Sequence, residues 1–212
     1  MGEITYLSYF LNEETPAYGG EEGSIIFDRV RSIANGDTSN NLRLTFPNHI
    51  GTHIDFPFHF DLNGKKGSEY PASFWIFNSV GFIQCDVDSI EDQIINLPND
   101  IECLILKTGF AVNRDKEIYW KEQPVIKANL ATLFRARFPK LRLFGFDMIS
   151  LTSKLDRSEG KQAHLSFLID NEILILEDMN LDNLSSTPKK VIVSPLQIDN
   201  ADGGPCTVFS FL

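Results

Sequence analysis

Residues 49–59 constrain the fold and chemistry of this chain more than any other segment. They read His-Ile-Gly-Thr-His-Ile-Asp-Phe-Pro-Phe-His and contain three of the chain's four histidines. Gly51, Thr52 and Pro57 disfavour a helix here. In a strand of period two, the imidazoles and Asp55 would share one face, and Ile, Thr and Phe side chains the other. The pattern therefore predicts an extended segment with its apolar face in the core and its polar face toward a cavity. Gly51 and Pro57 disturb ideal strand geometry, so part of the segment is expected to be loop.

Imidazole and carboxylate side chains are a ligand set suited to zinc, manganese or iron. His49, His53 and Asp55 could supply three protein ligands, which is typical of a catalytic metal site that keeps a position open. Because a carboxylate has two oxygens, Asp55 could also bridge to a second metal. His59 lies further along the same face, where it could be another ligand or a base. Together these residues favour a metal or catalytic role over ordinary structural histidines.

The whole segment resembles the HxGTHxDxPxH signature of the cyclase-like metal hydrolases, the family that includes bacterial kynurenine formamidase and isatin hydrolase. Every fixed position of that signature is present. The resemblance covers nearly the full length. Further segments similar to the family pattern are 7–8, 15–20, 106–110, 144–150, 163–181 and 195–205.

The resemblance implies a centre of one or two divalent metal ions per chain, zinc in the first place and manganese as an alternative. Under that reading His49, His53 and Asp55 hold one ion, and Asp55 bridges to a second ion completed by His164 and Glu177. Glu172 also lies close to His164 in sequence, but Glu177 ends an apolar strand whereas Glu172 opens it. We therefore expect Glu177 to be the ligand and Glu172 to lie on the surface.

The resemblance also implies that His59 is the general base or acid rather than a ligand. Ser150 or Thr152 could bind the carbonyl or carboxylate of a substrate, although loop hydroxyls usually cap turns. Phe56 and Phe58 stand where the family usually has small or slim residues. If either phenylalanine reaches the pocket, the substrate would differ from that of kynurenine formamidase. The alternation of polar and apolar residues along the strand predicts instead that both fill the core.

The fold predicted for residues 1–212 is one mixed α/β domain with a strand-rich core, and the resemblance implies a swivelling β/β/α-like arrangement. A helix is predicted over residues 126–138, with Pro139 as its stop. Because this helix separates two predicted strands, a βαβ unit is expected. The predicted strands cover residues 80–87, 101–107, 141–146, 173–176, 191–193 and 207–212.

Bulk properties limit the possible partners. The formal net charge is −10 and the pI is about 4.8, so a nucleic-acid partner is not expected. No apolar run is long enough to span a bilayer, no basic cluster indicates a membrane surface, and the N-terminal residues do not resemble a secretory signal. Three cysteines without a CxxC motif indicate buried thiols and a reducing, cytoplasmic location. The family resemblance implies a homodimer or homotetramer that acts on a small molecule.

The expected reaction is hydrolysis of a formamide or cyclic amide by a metal-activated water, as in the kynurenine enzymes. Two alternatives stay open at this point. The same metals could hydrolyse a lactone, another ring or an ester, or the chain could be a non-catalytic metal-binding protein on the same fold. The complete ligand set and the presence of His59 favour an enzyme.

Overall fold

A nine-stranded mixed β-sheet forms the centre of the protein in the computed structural model, which describes residues 3–212. The strands are β1 (Ile4–Tyr6), β2 (Ile26–Arg31), β3 (Asn41–Thr45), β4 (His53–Asp55), β5 (Ile76–Phe77), β6 (Val80–Gln84), β7 (Cys103–Lys107), β8 (Leu143–Phe146), β9 (Leu174–Glu177), β10 (Lys190–Pro195) and β11 (Gly203–Phe211). The α-helices are α1 (Ile90–Ile94), α2 (Ile118–Lys121), α3 (Asn129–Arg137) and α4 (Arg157–His164), and α4 continues into a π-helical segment, Leu165–Asp170.

The sheet places β4 in its interior. The strand order is β5-β10-β11-β4-β9-β8-β7-β6, and β1 pairs with the end of β11. Strands β6 to β9 are parallel to one another, whereas β4 runs antiparallel to both β9 and β11. Because β4 is bonded on both edges, the residues that it carries are held in a fixed register.

The six strands expected from the sequence are all present as β6 to β11, and the mixed α/β class is confirmed. The β7–α3–β8 segment forms the expected βαβ unit with β7 and β8 parallel and adjacent. Helix α3 buries Leu130 and Phe134, and Phe138 follows it in the core. It begins at Asn129 rather than at residue 126, and the Glu159 carboxylate accepts a hydrogen bond from the backbone N–H of Ala128 at this end.

The segment 49–59 is extended over only three residues, His53–Asp55, and it is interrupted at the two positions expected to disturb the strand. Gly51 has a φ of +59°, a left-handed conformation that turns the chain ahead of β4. Pro57 begins a 3₁₀ turn, Pro57–His59, that ends the extended run. Ile50, Ile54 and Phe56 are buried as predicted, and the polar residues at the two ends of β4, His53 and Asp55, are buried as well.

A two-stranded hairpin of β2 and β3, which the sequence pattern did not reveal, lies apart from the main sheet. Nearly all of its side chains are exposed. All three cysteines are free; Cys103 and Cys206 are buried, while Cys85 is half-buried rather than fully buried as expected. Within residues 3–212, none of the helices is both long and apolar enough to cross a bilayer.

Candidate metal centre

Strand pairing brings the expected ligands together. On β4, His53 lies opposite Glu177 of β9, and on the other edge Asp55 lies opposite Gly203 of β11. The His53 Nε2 atom is 3.3 Å from Glu177 Oε2 and 3.6 Å from Asp55 Oδ1. All three side chains are buried. The antiparallel register therefore sets the spacing of these groups through the backbone.

Helix α4 ends at His164 and places this residue beside the two carboxylates. The His164 Nε2 atom lies 3.4 Å from Asp55 Oδ2 and 3.7 Å from Glu177 Oε1. Asp156 is the N-cap of the helix, and its carboxylate accepts a hydrogen bond from the Glu159 backbone N–H. Gly160 lets the helix approach the loop at Thr152, since a Cβ at this position would lie 2.6 Å from Thr152 Cα. His164 is thereby placed against the β4 and β9 carboxylates.

Each of the buried histidines has one ring nitrogen anchored by a backbone carbonyl. His53 Nδ1 donates to the Gly51 carbonyl oxygen at 2.8 Å, and His164 Nδ1 donates to the Gly160 carbonyl oxygen at 2.9 Å. Both rings consequently turn Nε2 toward the carboxylates. Anchoring of the second ring nitrogen is the usual arrangement of histidines that ligate metal.

His49 approaches Asp55 from the other side. Its Nδ1 is 2.8 Å from Asp55 Oδ1, and its Nε2 is 3.0 Å from Asp202 Oδ2. His59 lies beside it, with ring centroids 4.1 Å apart. The ligand atoms of His49, Asp55 and His59 all lie within 4.8 Å of one another.

A second group with the same spacing consists of His53, Asp55 and Glu177, so that Asp55 belongs to both. The donor set of imidazoles and carboxylates fits zinc or manganese. The anchored His53 and His164 rings both direct Nε2 toward the buried carboxylates of Asp55 and Glu177. The residues present therefore fit a divalent metal centre, and all five residues expected as ligands lie in one place.

Charges within this cluster shift the ionisation of its members strongly. Burial alone lowers the pKa of His53, but hydrogen bonding to Glu177 and the charges of Glu177 and Asp55 raise it to about 9. The same competition, with Asp55 as the main partner, raises the pKa of His164 to about 10. Burial opposes ionisation of Asp55, yet the surrounding histidines hold its pKa well below the usual range. Without metal, the cluster is thus held together as ion pairs.

The hydroxyls of Ser150 and Thr152, which were expected as substrate contacts, lie against the expected metal ligands Glu177 and His164. Ser150 Oγ donates to Glu177 Oε1 at 3.2 Å, and the Leu151 backbone N–H donates to the same oxygen. Thr152 Oγ1 is 3.2 Å from His164 Nδ1. These contacts orient Glu177 and His164, while both hydroxyl residues still line the neighbouring cavity.

A cavity of about 310 Å³ opens over the cluster. Apolar and aromatic residues form much of its wall: Pro16, Tyr18, Ile50, Phe60 and Ile149. The Phe60 ring stacks on the His164 ring at a centroid distance of 4.6 Å. Phe56 packs on Tyr70 instead, and Phe58 lies under the Lys66 ammonium, so neither lines this cavity.

His59 follows β4 on the 3₁₀ turn and lines the cavity. Its Nδ1 is 2.8 Å from Asp202 Oδ2. This placement is compatible with the expected proton transfer and also with coordination beside His49. Glu172 is exposed with a φ of +51°, in agreement with its expected place on the surface, whereas Glu177 is 2% exposed.

Asp202 is the site residue that sequence reasoning missed, because no role was assigned to it. It directly precedes β11 and contacts both His49 and His59. Burial opposes ionisation of Asp202, but hydrogen bonds from His49 and His59 lower its pKa to about 2. The resemblance of residues 195–205 to a family segment was the only available signal.

Comparison with solved structures finds the same fold in proteins of low sequence identity. Isatin hydrolase A from Labrenzia aggregata superposes with a TM-score of 0.81 over 99% of this chain and 93% of that one, at 18% sequence identity. At that identity the likeness concerns the fold.

Sequence comparison identifies the family. The family model named Cyclase matches residues 5–152. Kynurenine formamidase from Bacillus anthracis is 31% identical over 204 residues, covering 94% of this chain and 92% of that protein. The corresponding protein of Bacillus cytotoxicus is 32% identical over 166 residues, covering 77% and 76%. The chain belongs to the cyclase family, as its sequence motifs predicted, and these relatives support the expectation of an amide-cleaving, metal-dependent hydrolase.

Proposed function

We propose that this protein is a metal-dependent hydrolase that cleaves an amide C–N bond in a formamide or a cyclic amide. The observation that carries the proposal is the convergence of three imidazoles and two carboxylates at the floor of the cavity, where His49, His53 and His164 contact Asp55, and Glu177 contacts His53 and His164. Kynurenine formamidases of about the same length as this chain support the choice of an amide over other acyl compounds.

His49, His53, Asp55, His164 and Glu177 would hold the metal. A divalent ion in such a site supplies Lewis-acid chemistry that activates water and polarises a carbonyl group near neutral pH. Gly51 and Gly160 carbonyls keep the His53 and His164 rings in the tautomer that presents Nε2. Ser150 and Leu151 fix the Glu177 carboxylate. These hydrogen bonds hold the donor atoms in place in the metal-free protein.

His59 is proposed to move the proton between the attacking water and the leaving nitrogen. It lines the cavity and is anchored through Nδ1, which leaves Nε2 for this task. The apolar wall formed by Tyr18, Ile50, Phe60 and Ile149 suits a flat or aromatic group and excludes water from the reacting carbonyl.

The direct test is hydrolysis of N-formylkynurenine, isatin and a simple lactone by protein loaded with zinc or with manganese. We expect turnover of at least one amide, loss of turnover with chelator and recovery when metal is restored. Turnover of the lactone alone would favour the ester-cleaving alternative. Metal binding without turnover of any of the three would contradict the proposal and favour a non-catalytic role.

Zinc is the proposed native metal, with manganese second, because imidazole and carboxylate ligands accept both. The small-molecule substrate, the homodimeric or homotetrameric state and the cytoplasmic location remain predictions. Metal analysis of protein purified without chelator would test the identity of the metal. Light scattering of the purified protein would test the oligomeric state.

A further inference from the structure

One carboxylate oxygen of Asp202 lies between two histidine rings of the candidate centre. Asp202 Oδ2 is 2.8 Å from His59 Nδ1 and 3.0 Å from His49 Nε2. The other oxygen, Oδ1, accepts a hydrogen bond from Asn48 Nδ2 at 2.6 Å. Both oxygens are therefore engaged, and the orientation of the carboxylate is fixed from two sides.

The backbone also fixes Asp202 relative to the turn that carries His59. The Asp202 carbonyl oxygen accepts a hydrogen bond from the Phe56 N–H at 2.9 Å, immediately ahead of that turn. The turn is closed by the His59 N–H, which donates to the Phe56 carbonyl oxygen at 2.9 Å. Asp202 and His59 are thus both tied to Phe56, so their separation does not depend on flexible side chains alone.

We propose that Asp202 is a positioning residue that holds the His59 ring with Nδ1–H on the carboxylate and Nε2 free toward the cavity. The proposal rests on the proposed function, in which His59 transfers a proton. A neutral imidazole carries its hydrogen on one nitrogen only, and the partner of that nitrogen decides which one it is. Among residues 3–212, Asp202 is the partner seen for His59 Nδ1, and His59 Nε2 makes no hydrogen bond.

The Oδ2 atom of Asp202 also couples His59 to a proposed metal ligand. Because the same atom contacts His49, the position of the ligand ring and the position of the proton-transfer ring are linked through one carboxylate. Loss of Asp202 would release the His59 ring first, since His49 keeps its contact of 2.8 Å with Asp55. We therefore expect activity to depend on Asp202 more strongly than metal content does.

The experiment uses the full chain loaded with zinc and compares Asp202→Ala, Asp202→Asn and the matched control Asp199→Asn. Asp199 is an exposed acid three residues earlier whose side chain contacts that of Asn200. Metal content, kcat, KM and long-range ¹H–¹⁵N spectra of the imidazoles are recorded for each protein. Only four histidines contribute ring signals, so each can be assigned by substitution.

We expect the parent protein and Asp199→Asn to show the Nδ1–H tautomer of His59. Asp202→Ala should move His59 toward the other tautomer and lower kcat by about 10- to 100-fold with little change in KM or metal content. Asp202→Asn keeps the side-chain size and one acceptor oxygen, so smaller changes in the same direction are expected. If Asp202→Ala does not fold, Asp202→Asn alone tests the proposal. In the double variant with His59→Ala, loss of Asp202 should add nothing to the loss caused by His59→Ala.

An unchanged His59 tautomer in both Asp202 variants would overturn the proposal, as would losses of kcat that multiply in the double variant. If the parent protein hydrolyses none of the amides tested, the proposed function fails, but the tautomer comparison still decides whether Asp202 positions His59. The two failures are therefore distinguishable.

Discussion

His53 on β4 and Glu177 on β9 are directly paired across two antiparallel strands, with Nε2 and Oε2 3.3 Å apart. Both side chains are buried and both are further oriented from behind, His53 by the Gly51 carbonyl and Glu177 by Ser150. The pairing means that the spacing of an imidazole and a carboxylate is set by strand register. Substitutions in this pair should consequently weaken metal binding.

A ligand substitution and a base substitution should have different consequences. His53→Ala removes an imidazole from the proposed coordination shell, so metal content and activity should fall together. His59→Ala should keep its metal but lose about 100- to 10,000-fold in kcat, because a proton-transfer step has lost its partner. Elemental analysis and steady-state kinetics on both variants measure this. Equal metal loss in the two proteins would instead make His59 a ligand beside His49.

The metal-free protein should lose stability as the pH rises above neutrality. Raised pKa values of about 9 for His53 and about 10 for His164 mean that the folded state retains protons that the unfolded state releases near pH 6.5. This contribution is complete below about pH 6.5 and disappears as the pH passes the folded-state values. Urea midpoints between pH 6 and 10 should therefore decline for metal-free protein. Zinc-loaded protein should decline less, since its ligand imidazoles are already deprotonated. Parallel profiles with and without metal would contradict the assignment.

Two adjacent glycines offer a matched test of how tightly His49 is packed. A Cβ on Gly203 would lie 2.4 Å from His49 Cε1 and 2.8 Å from the Ile54 carbonyl oxygen, whereas on Gly204 the nearest atom is 3.5 Å away. Gly203→Ala should therefore displace His49 and lower metal affinity by about 10- to 100-fold, as expected for a disturbed ligand. Gly204→Ala should bind zinc like the parent. Zinc titration with a competing chelator compares them, and equal affinities for all three proteins would show that His49 does not bind metal.

A buried ion pair behind the site should contribute to stability. Arg114 donates from Nε to Asp178 Oδ1 and from Nη2 to Asp178 Oδ2, and Asp178 directly follows Glu177 and is 1% exposed. Arg114→Ala leaves that carboxylate without its charge partner and should cost about 3–5 kcal/mol of unfolding free energy. Lys121→Ala, which removes an exposed pair with Glu117, should change the unfolding free energy little, because solvent screens that pair. Urea unfolding at pH 7 measures both, and similar losses would contradict the role given to Asp178.

The core of this fold could be predicted from the sequence because its strands are apolar and helix α3 has a clear period. Strands β6 to β11 and the β7–α3–β8 unit belong to that class. The short strands β1 and β5 carry too few residues for a period to show. The exposed hairpin of β2 and β3 has no buried face to mark it. Gly51 and Pro57 signalled breaks in segment 49–59, but how far the extended part would reach depended on contacts with β9 and β11.

The same distinction applies to the site. Residues 49–59 carry their chemistry in a local pattern, so His49, His53 and Asp55 were visible at once. His164 and Glu177 became candidates only through the family resemblance, since their approach to Asp55 is created by α4 and β9. Asp202 is one of 29 acidic residues, and only the resemblance of residues 195–205 to a family segment set it apart. Its contact with His59 arises only when β11 pairs with β4.

The central claim is that Asp55 belongs to two metal positions at once, and the metal content of Asp55 variants tests it most directly. Parent protein, Asp55→Ala and the isosteric Asp55→Asn are saturated with zinc, desalted and analysed for metal, with circular dichroism to confirm that each is folded. We predict that the folded variants lose most of the metal that the parent retains, because both ligand groups lose their common member. Full metal content in a folded Asp55 variant would contradict the shared centre.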